Sequence, residues 1–250
     1  MHNYGAIPRG AYRQLPKLLP RSLGFERYAL SFKHTLSQYV DCGNDPSLDL
    51  LAAISIEFFV KFSQLNLTQC IISKHIFTEA WDINLWVSNQ ANIRVRIGGV
   101  LKEITPAAAI WTPLLNTLYH WVITYNGALL ALYIDGVLVG SIAAAGNIGL
   151  TATSVQIGRW GTVGSYLAGL IPLVRIYDCG LTQSEVRWNR LNYHNPVHPG
   201  NIVLWLPMEE GAGLTVIDRS GHGNNGALLP ALTPPTWEQV RQYELRAETE

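Results

Sequence analysis

Carboxylates are the first side chains to test for chemistry, because hydrolysis of a glycosidic bond needs two of them facing one bond across a cleft. Glu57 sits among Ile56, Phe58 and Phe59 with no acid two residues on, and Glu209 and Glu210 are adjacent, so on a strand they point to opposite faces. Nucleophilic catalysis has no better footing. There is no G-x-S-x-G elbow, and none of the seven histidines is tied by spacing to Cys42. These patterns point away from an enzyme. Carbohydrate binding asks instead for aromatic platforms with polar neighbours at a sheet face or loop rim. Trp81, Trp86, Trp111, Trp160 and Tyr166 are the candidates, with Asn84, Asn89 and Arg159 as polar company. Trp121 and Trp205 lie in apolar strands and read as core, and the sequon Asn66-Leu67-Thr68 reads as a loop.

The elements that must position these side chains are strands. Residues 118–141, LYHWVITYNGALLALYIDGVLVGS, read as three strands joined at Asn126-Gly127 and Asp135-Gly136, pairs that can take the positive φ of a two-residue type I′ loop. Tyr119, Trp121, Ile123 and Tyr125 alternate with His120, Val122 and Thr124, so one face of the first run suits a core. Further strands are expected at 28–33, 38–42, 53–62, 69–77, 81–88, 92–97 and 100–105, with a turn at Asn44-Asp45-Pro46-Ser47 and another hairpin at Gly98-Gly99. Residues 106–117, with two prolines, form a longer connection, and strands at 153–158 and 166–177 complete the set. One helix is expected at 182–193, capped by Thr182 with Glu185 three residues on. Regular short strands separated by turns make this an all-β sandwich.

Composition sets the partners. Charged residues are 14% of the 250, against the usual ~25%, and hydrophobic residues are 48%. So few charges suggest a surface partly covered by neighbours, other copies of the chain first among them. Eighteen basic and eighteen acidic residues cancel, which leaves no electrostatic footprint for nucleic acid. Three cysteines, Cys42, Cys70 and Cys179, are too few and too scattered for a disulfide framework or a zinc site. No run reaches the length of a membrane span, and the N-terminal residues lack the apolar core of a secretory signal. Residues 1–27, with Pro8, Pro16 and Pro20 among five cationic side chains, read as an extended arm.

The runs WVITYNGALLALYIDGVLVGS, VQIGRW at 155–160 and GLIPLVRIYDCGLTQSEV at 169–186, with ALSFKHTLSQYVDCGNDPSLDL at 29–50 and ISIEFFVKF at 54–62, resemble the laminin-G-like, concanavalin A-like jelly-roll family. The resemblance spans residues 28–230 and implies a two-sheet jelly-roll sandwich; it does not imply one activity. Glycanases of this fold carry an E-x-D-x-x-E run on one strand, and this chain has none. Related domains bind calcium through oxygen ligands. Here Asp218, in IDRSGHGNNG, matches the family's Asp-x-Ser-Gly run, with Asn224 and Asn225 as further oxygen donors. Pro172 and Leu173, however, stand where the family often has acids, and the other reading of Asp218 is a hydrogen-bonded turn. Residues 202–229 look like the stretch that normally opens the family. They are expected to close the same sandwich by circular permutation, or else to be donated to a neighbouring subunit. The domain is therefore placed at 28–230, including a C-terminal strand segment 201–230, with 231–250 as a tail.

Two functions fit. The first is a non-enzymatic structural protein assembled into a larger particle, such as a virion's capsid decoration or tail, with other copies and other particle proteins as partners. The alternative is a lectin-like module that binds surface glycans. Either expectation places the protein on a virion or in another extracellular assembly.

Overall fold

The computed structural model describes residues 27–76, 79–161 and 164–240. The expected arm, apart from Arg27, lies outside these residues, as do 241–250 of the expected tail. Among the described residues the chain forms sixteen strands and one α-helix. In order these are β1 (Arg27–Phe32), β2 (Tyr39–Asp41), β3 (Ile54–Phe62), β4 (Gln69–Ile76), β5 (Glu79–Leu85), β6 (Ala91–Ile97), β7 (Val100–Ile104), β8 (Leu118–Tyr125), β9 (Leu129–Ile134), β10 (Val137–Ala143), β11 (Gln156–Ile157) and β12 (Gly169–Tyr177). Helix α1 (Gln183–Leu191) follows, then β13 (Ile202–Leu206), β14 (Thr215–Val216), β15 (Gly226–Leu229) and β16 (Thr236–Val240).

The strands pair antiparallel in two sheets. The first runs β10-β9-β8-β3-β12-β1-β16, and the second β14-β15-β2-β11-β4-β5-β6-β7. This is the expected jelly-roll sandwich. One continuous apolar cluster lies between the sheets, with Phe58, Phe62 and Trp121 from the first and Trp81, Ile83, Ile93 and Val95 from the second. Each such large apolar side chain, fully buried, contributes roughly 1.5–3 kcal/mol. Trp121 is the centre of the aromatic packing: the rings of Phe58, Phe62 and Trp111 lie 5.8, 6.4 and 5.1 Å from its own.

Local sequence explains most of the boundaries. Asp135-Gly136 and Gly98-Gly99 both take positive φ at each residue and join directly paired strands, as a type I′ loop requires. Asn126-Gly127 departs from that expectation. Only Gly127 has positive φ, and Asn126 Oδ1 instead accepts from the backbone N–H of Ala128 and Leu129 at 3.1 and 2.9 Å, which widens the loop. The strand expected at 153–158 shortens to two residues, and that expected at 81–88 ends at Leu85. Pro172 has no N–H to give the ladder, and the register of β12 on β3 shifts between Leu170 and Leu173. Helix α1 starts as expected, with both hydrogen bonds of a capping box between Thr182 and Glu185.

Of the two placements open for the C-terminal segment, the structure has the one within the chain. Strand β13 pairs with residues 174–177 of β12, while β1 pairs with residues 169–171 of the same strand, so the two share one edge in sequence. Strand β15 joins the second sheet beside β2. The expected tail needs correction: its residues 236–240 form β16, which pairs with β1 through five residues.

Candidate functional site

Strand alternation decides which side chains leave the core of the second sheet. Trp81, Ile83 and Leu85 of β5 point inward, so Asp82 and Asn84 point out; Ile93, Val95 and Ile97 of β6 point inward, so Asn92, Arg94 and Arg96 point out. Pairing then aligns these residues across the sheet. Asp41 of β2 faces Gln156 of β11, which faces Ser73 of β4, then Asp82, Arg94 and Glu103 on β5, β6 and β7. The result is a polar row crossing six strands on the outer face. In a second row Asn84 lies directly opposite Asn92.

The row is linked by hydrogen bonds but not closed by them. Arg94 Nε donates to Asp82 Oδ1 at 3.0 Å, His75 Nδ1 lies 3.1 Å from Asp82 Oδ2, and the Asn84 amide donates to Asp82 Oδ1. Gln156 Nε2 and Ser154 Oγ donate to Asp41 at 3.2 and 2.9 Å. Asn92 Nδ2 donates to Glu103 Oε1 at 2.6 Å and Thr105 Oγ1 at 2.9 Å. The guanidinium of Arg94 stacks 4.9 Å over Trp160, whose ring is 5.7 Å from that of His75, and Arg159 stacks over Tyr39 at 4.6 Å. Burial pushes the Asp82 carboxyl above its ordinary range even though Arg94 and His75 oppose the shift. Apart from Asp82 Oδ2, which faces His75 Nδ1, five buried polar atoms on this face have no hydrogen-bond partner among the described residues: Asn84 Oδ1, Asn92 Oδ1, Gln156 Oε1, Arg159 Nε and Trp160 Nε1. Each costs about 1–3 kcal/mol while unpaired.

The expected aromatic platform is brought together only in part. Asn84 and Trp160 are linked on this face through Asp82 and Arg94, and Arg159 stacks on Tyr39 of β2. Tyr166, 5.9 Å from the Arg159 guanidinium, lines an adjoining open groove of about 660 Å³ with His34, Asn66, Thr68 and Val87. Trp81 requires correction: it is 3% exposed and packs in the inter-sheet core, in phase with Ile83 and Leu85. Trp111 packs edge-on against Tyr119 and Trp121, and Trp86 lies half-buried at the turn after β5. Trp121 is core as expected, whereas Trp205 sits on the other face of its sheet, under the Arg175 guanidinium at 5.0 Å. Asp41, Ser73, His75, Asp82, Asn92, Arg94 and Gln156 were not singled out from sequence. Their signal is a polar residue at every second position of adjacent strands.

Asp218 is committed to its own turn. Its carboxylate accepts from Trp205 N, Ser220 N, Ser220 Oγ and Asn224 N, all at 2.7–2.9 Å. Asn225 Oδ1 accepts from Asp218 N, and Asn224 Nδ2 donates to Val203 O and Ser47 Oγ. These oxygens hold the loop against β13 in the way the turn reading describes. Among the described residues no three His, Cys, Asp or Glu side chains gather as a metal site. Cys42, Cys70 and Cys179 are free thiols. No helix among the described residues is long and apolar enough to cross a membrane.

The outer face of the first sheet carries the other buried carboxylate. Glu57 Oε1 is 2.9 Å from His120 Nε2, Arg175 Nη1 lies 3.3 Å from both carboxylate oxygens, and Tyr177 Oη and Asn189 Nδ2 each donate to Oε2 at 3.0 Å. Burial would raise this carboxyl, but Arg175, His120 and Tyr177 outweigh it and hold it at about 2. Helix α1, which supplies Asn189, covers the network. A carboxylate so low and so enclosed is not suited to donate a proton as a general acid.

This chain belongs to the concanavalin A-like lectin/glucanases superfamily, whose family model matches residues 34–187. Among solved structures, a candidate carbohydrate binding protein from Bacteroides ovatus ATCC 8483 matches with TM-score 0.67 at 15% identity, over 86% of this chain and 60% of its own length. The chain thus spans 60% of that relative, and at 15% identity the likeness shows the fold. The heptameric SAP-like pentraxin from Limulus polyphemus matches at TM-score 0.49 and 15% identity, over 66% of this chain and 82% of the pentraxin. The binding domain of Paraclostridial Mosquitocidal Protein 1 matches at 0.49 and 16%, over 63% of this chain and 43% of that one. No curated protein sequence matches the chain.

Proposed function

We propose that this protein is a non-enzymatic, lectin-like module that binds glycans on the outer face of its second sheet. The observation that carries the reading is the polar row from Asp41 to Glu103, with buried donors and acceptors on and beside it that no described residue satisfies. A sugar is a dense set of hydroxyl donors and acceptors, and it would recover the hydrogen bonds this face forgoes. The fold shared with a candidate carbohydrate binding protein supports the same reading. The test is a glycan array probed with the purified protein and with Arg94→Ala. Binding that the substitution weakens at least about tenfold supports the reading, and an array with no bound glycan removes it.

A second reading rests on a different observation. The edge strands β7 and β10 lie against each other on one side of the sandwich. There Val100, Leu101, Val137 and Leu138 are exposed, as are Ile110, Leu114 and Leu115 of the connection after β7. Apolar side chains on two unpaired strand edges suit association with further copies, as in a virion or other extracellular particle. Light scattering after size exclusion tests it: a clean monomer at high concentration eliminates this reading and leaves the first untouched.

A further inference from the structure

Asn84 and Asn92 face each other across β5 and β6, and they are 2% and 0% exposed. Their amide orientations are set by their neighbours. The Asn84 amide nitrogen donates to the Asp82 carboxylate, and both N–H groups of Asn92 are used, on Glu103 Oε1 and Thr105 Oγ1. Turning either amide over would set its oxygen against a carboxylate oxygen, so the nitrogens stay where they are. What each residue keeps is one carbonyl oxygen, buried, without a partner among the described residues, and able only to accept.

We propose that this pair is the specificity-determining element of the glycan site and that it selects neutral sugars presenting two adjacent hydroxyl groups, each donating to one amide oxygen. The inference rests on the carbohydrate-binding reading of this face and adds to it the class of ligand and the residues that choose it. Two acceptors on directly opposed residues call for two donors close together, which a vicinal diol supplies. An anionic sugar is disfavoured at the same point, because its carboxylate has no proton to donate and would face two acceptor oxygens backed by Asp82 and Glu103. Glu103 and Thr105 are exposed and Arg94, Arg159 and Trp160 half-buried, so the patch is approached from solvent past these side chains. Trp160 Nε1 and Arg159 Nε, both unpaired donors, serve acceptor oxygens elsewhere on the ligand.

The experiment uses the full chain on an array of immobilised neutral and acidic glycans. Calorimetry follows with the methyl glycoside of the best-bound glycan, its monodeoxy analogues and its uronic acid counterpart. Removing either of two neighbouring hydroxyls is expected to weaken binding about 10-fold to 100-fold, while deoxygenation elsewhere costs less. Asn84→Ala combined with Asn92→Ala should abolish the difference between the glycoside and those two deoxy forms, a readout that a merely structural role would not move. Thermal melting of the variant shows that it is folded, and single Asn84→Ser and Asn92→Ser substitutions replace it if it is not. Glycans that bind with the deoxy penalties unchanged in the variants overturn the inference and spare the binding reading, as does a preference for the uronic acid. An array on which nothing binds, neutral or acidic, overturns both.

Discussion

Glu57 and Asp82 are both 0% exposed carboxylates on interior strands, each on the outer face of its sheet, and each has an arginine and a histidine within reach. Around Glu57 the arginine is wholly buried and four residues contact the two oxygens. Around Asp82 the arginine keeps 21% of its side chain in solvent and shares its charge with the Trp160 ring, and unpaired amide, guanidinium and indole atoms lie nearby. The titration of the two acids follows the difference: one is held at about 2, and the other is pushed up by burial. Unpaired buried atoms occur on both faces, His120 Nδ1 and Arg175 Nε beside Glu57 among them, so what separates the two is access: helix α1 covers Glu57, whereas the arginine beside Asp82 reaches solvent.

The sharpest way to break this comparison is to remove Arg175. Arg175→Ala strands Glu57 as a buried, uncompensated charge, and urea unfolding should show a loss of about 3–5 kcal/mol. Acid comes next. Glu57 titrates at about 2 in the fold against an ordinary 4.5, so its stabilisation is complete above about 4.5 and disappears as pH falls toward 2. On the order of 3 kcal/mol should be lost across that window in wild type and not in Glu57→Gln. Asp82 works in the opposite sense, since a raised carboxyl makes stability fall as pH rises from its ordinary 3.8 through its folded value. Asp82→Asn should therefore leave neutral-pH stability unchanged or raise it by up to about 1 kcal/mol, while glycan binding drops at least about tenfold. The smallest effect is expected from Trp160→Phe, which retains a ring under Arg94 and removes the unpaired N–H. Stability should stay within about 0.5 kcal/mol and affinity should fall. Large destabilisation by Asp82→Asn would show that the two faces are built alike.

The sandwich was legible in sequence because its strands alternate and its turns use residues with one conformational preference. Asp135-Gly136, Gly98-Gly99 and the Thr182 cap all behave as their residue types require. Asn126-Gly127 does not, since a side-chain hydrogen bond from Asn126 supplies a competing turn. The site was less legible for two physical reasons. Tryptophans chosen by residue type miss phase, and Trp81 falls in step with Ile83 and Leu85 toward the core. The polar row depends on register between strands up to 115 residues apart, as for Gln156 on Asp41, and no local pattern states that register. Asp82 and Asn84 alternate visibly with Ile83, but that Asn84 lies opposite Asn92 is known only from the pairing.

The sharing of one edge of β12 by β1 and β13, with β16 laid outside β1, bears on biosynthesis. A nascent chain that has emerged through β12 holds most of the first sheet, yet half of that strand's edge and the whole outer edge of β1 stay open until some sixty further residues have followed. Completion is thus a late event, and a translation product stopped before β13 would carry an exposed, sticky border into the crowded space around the ribosome.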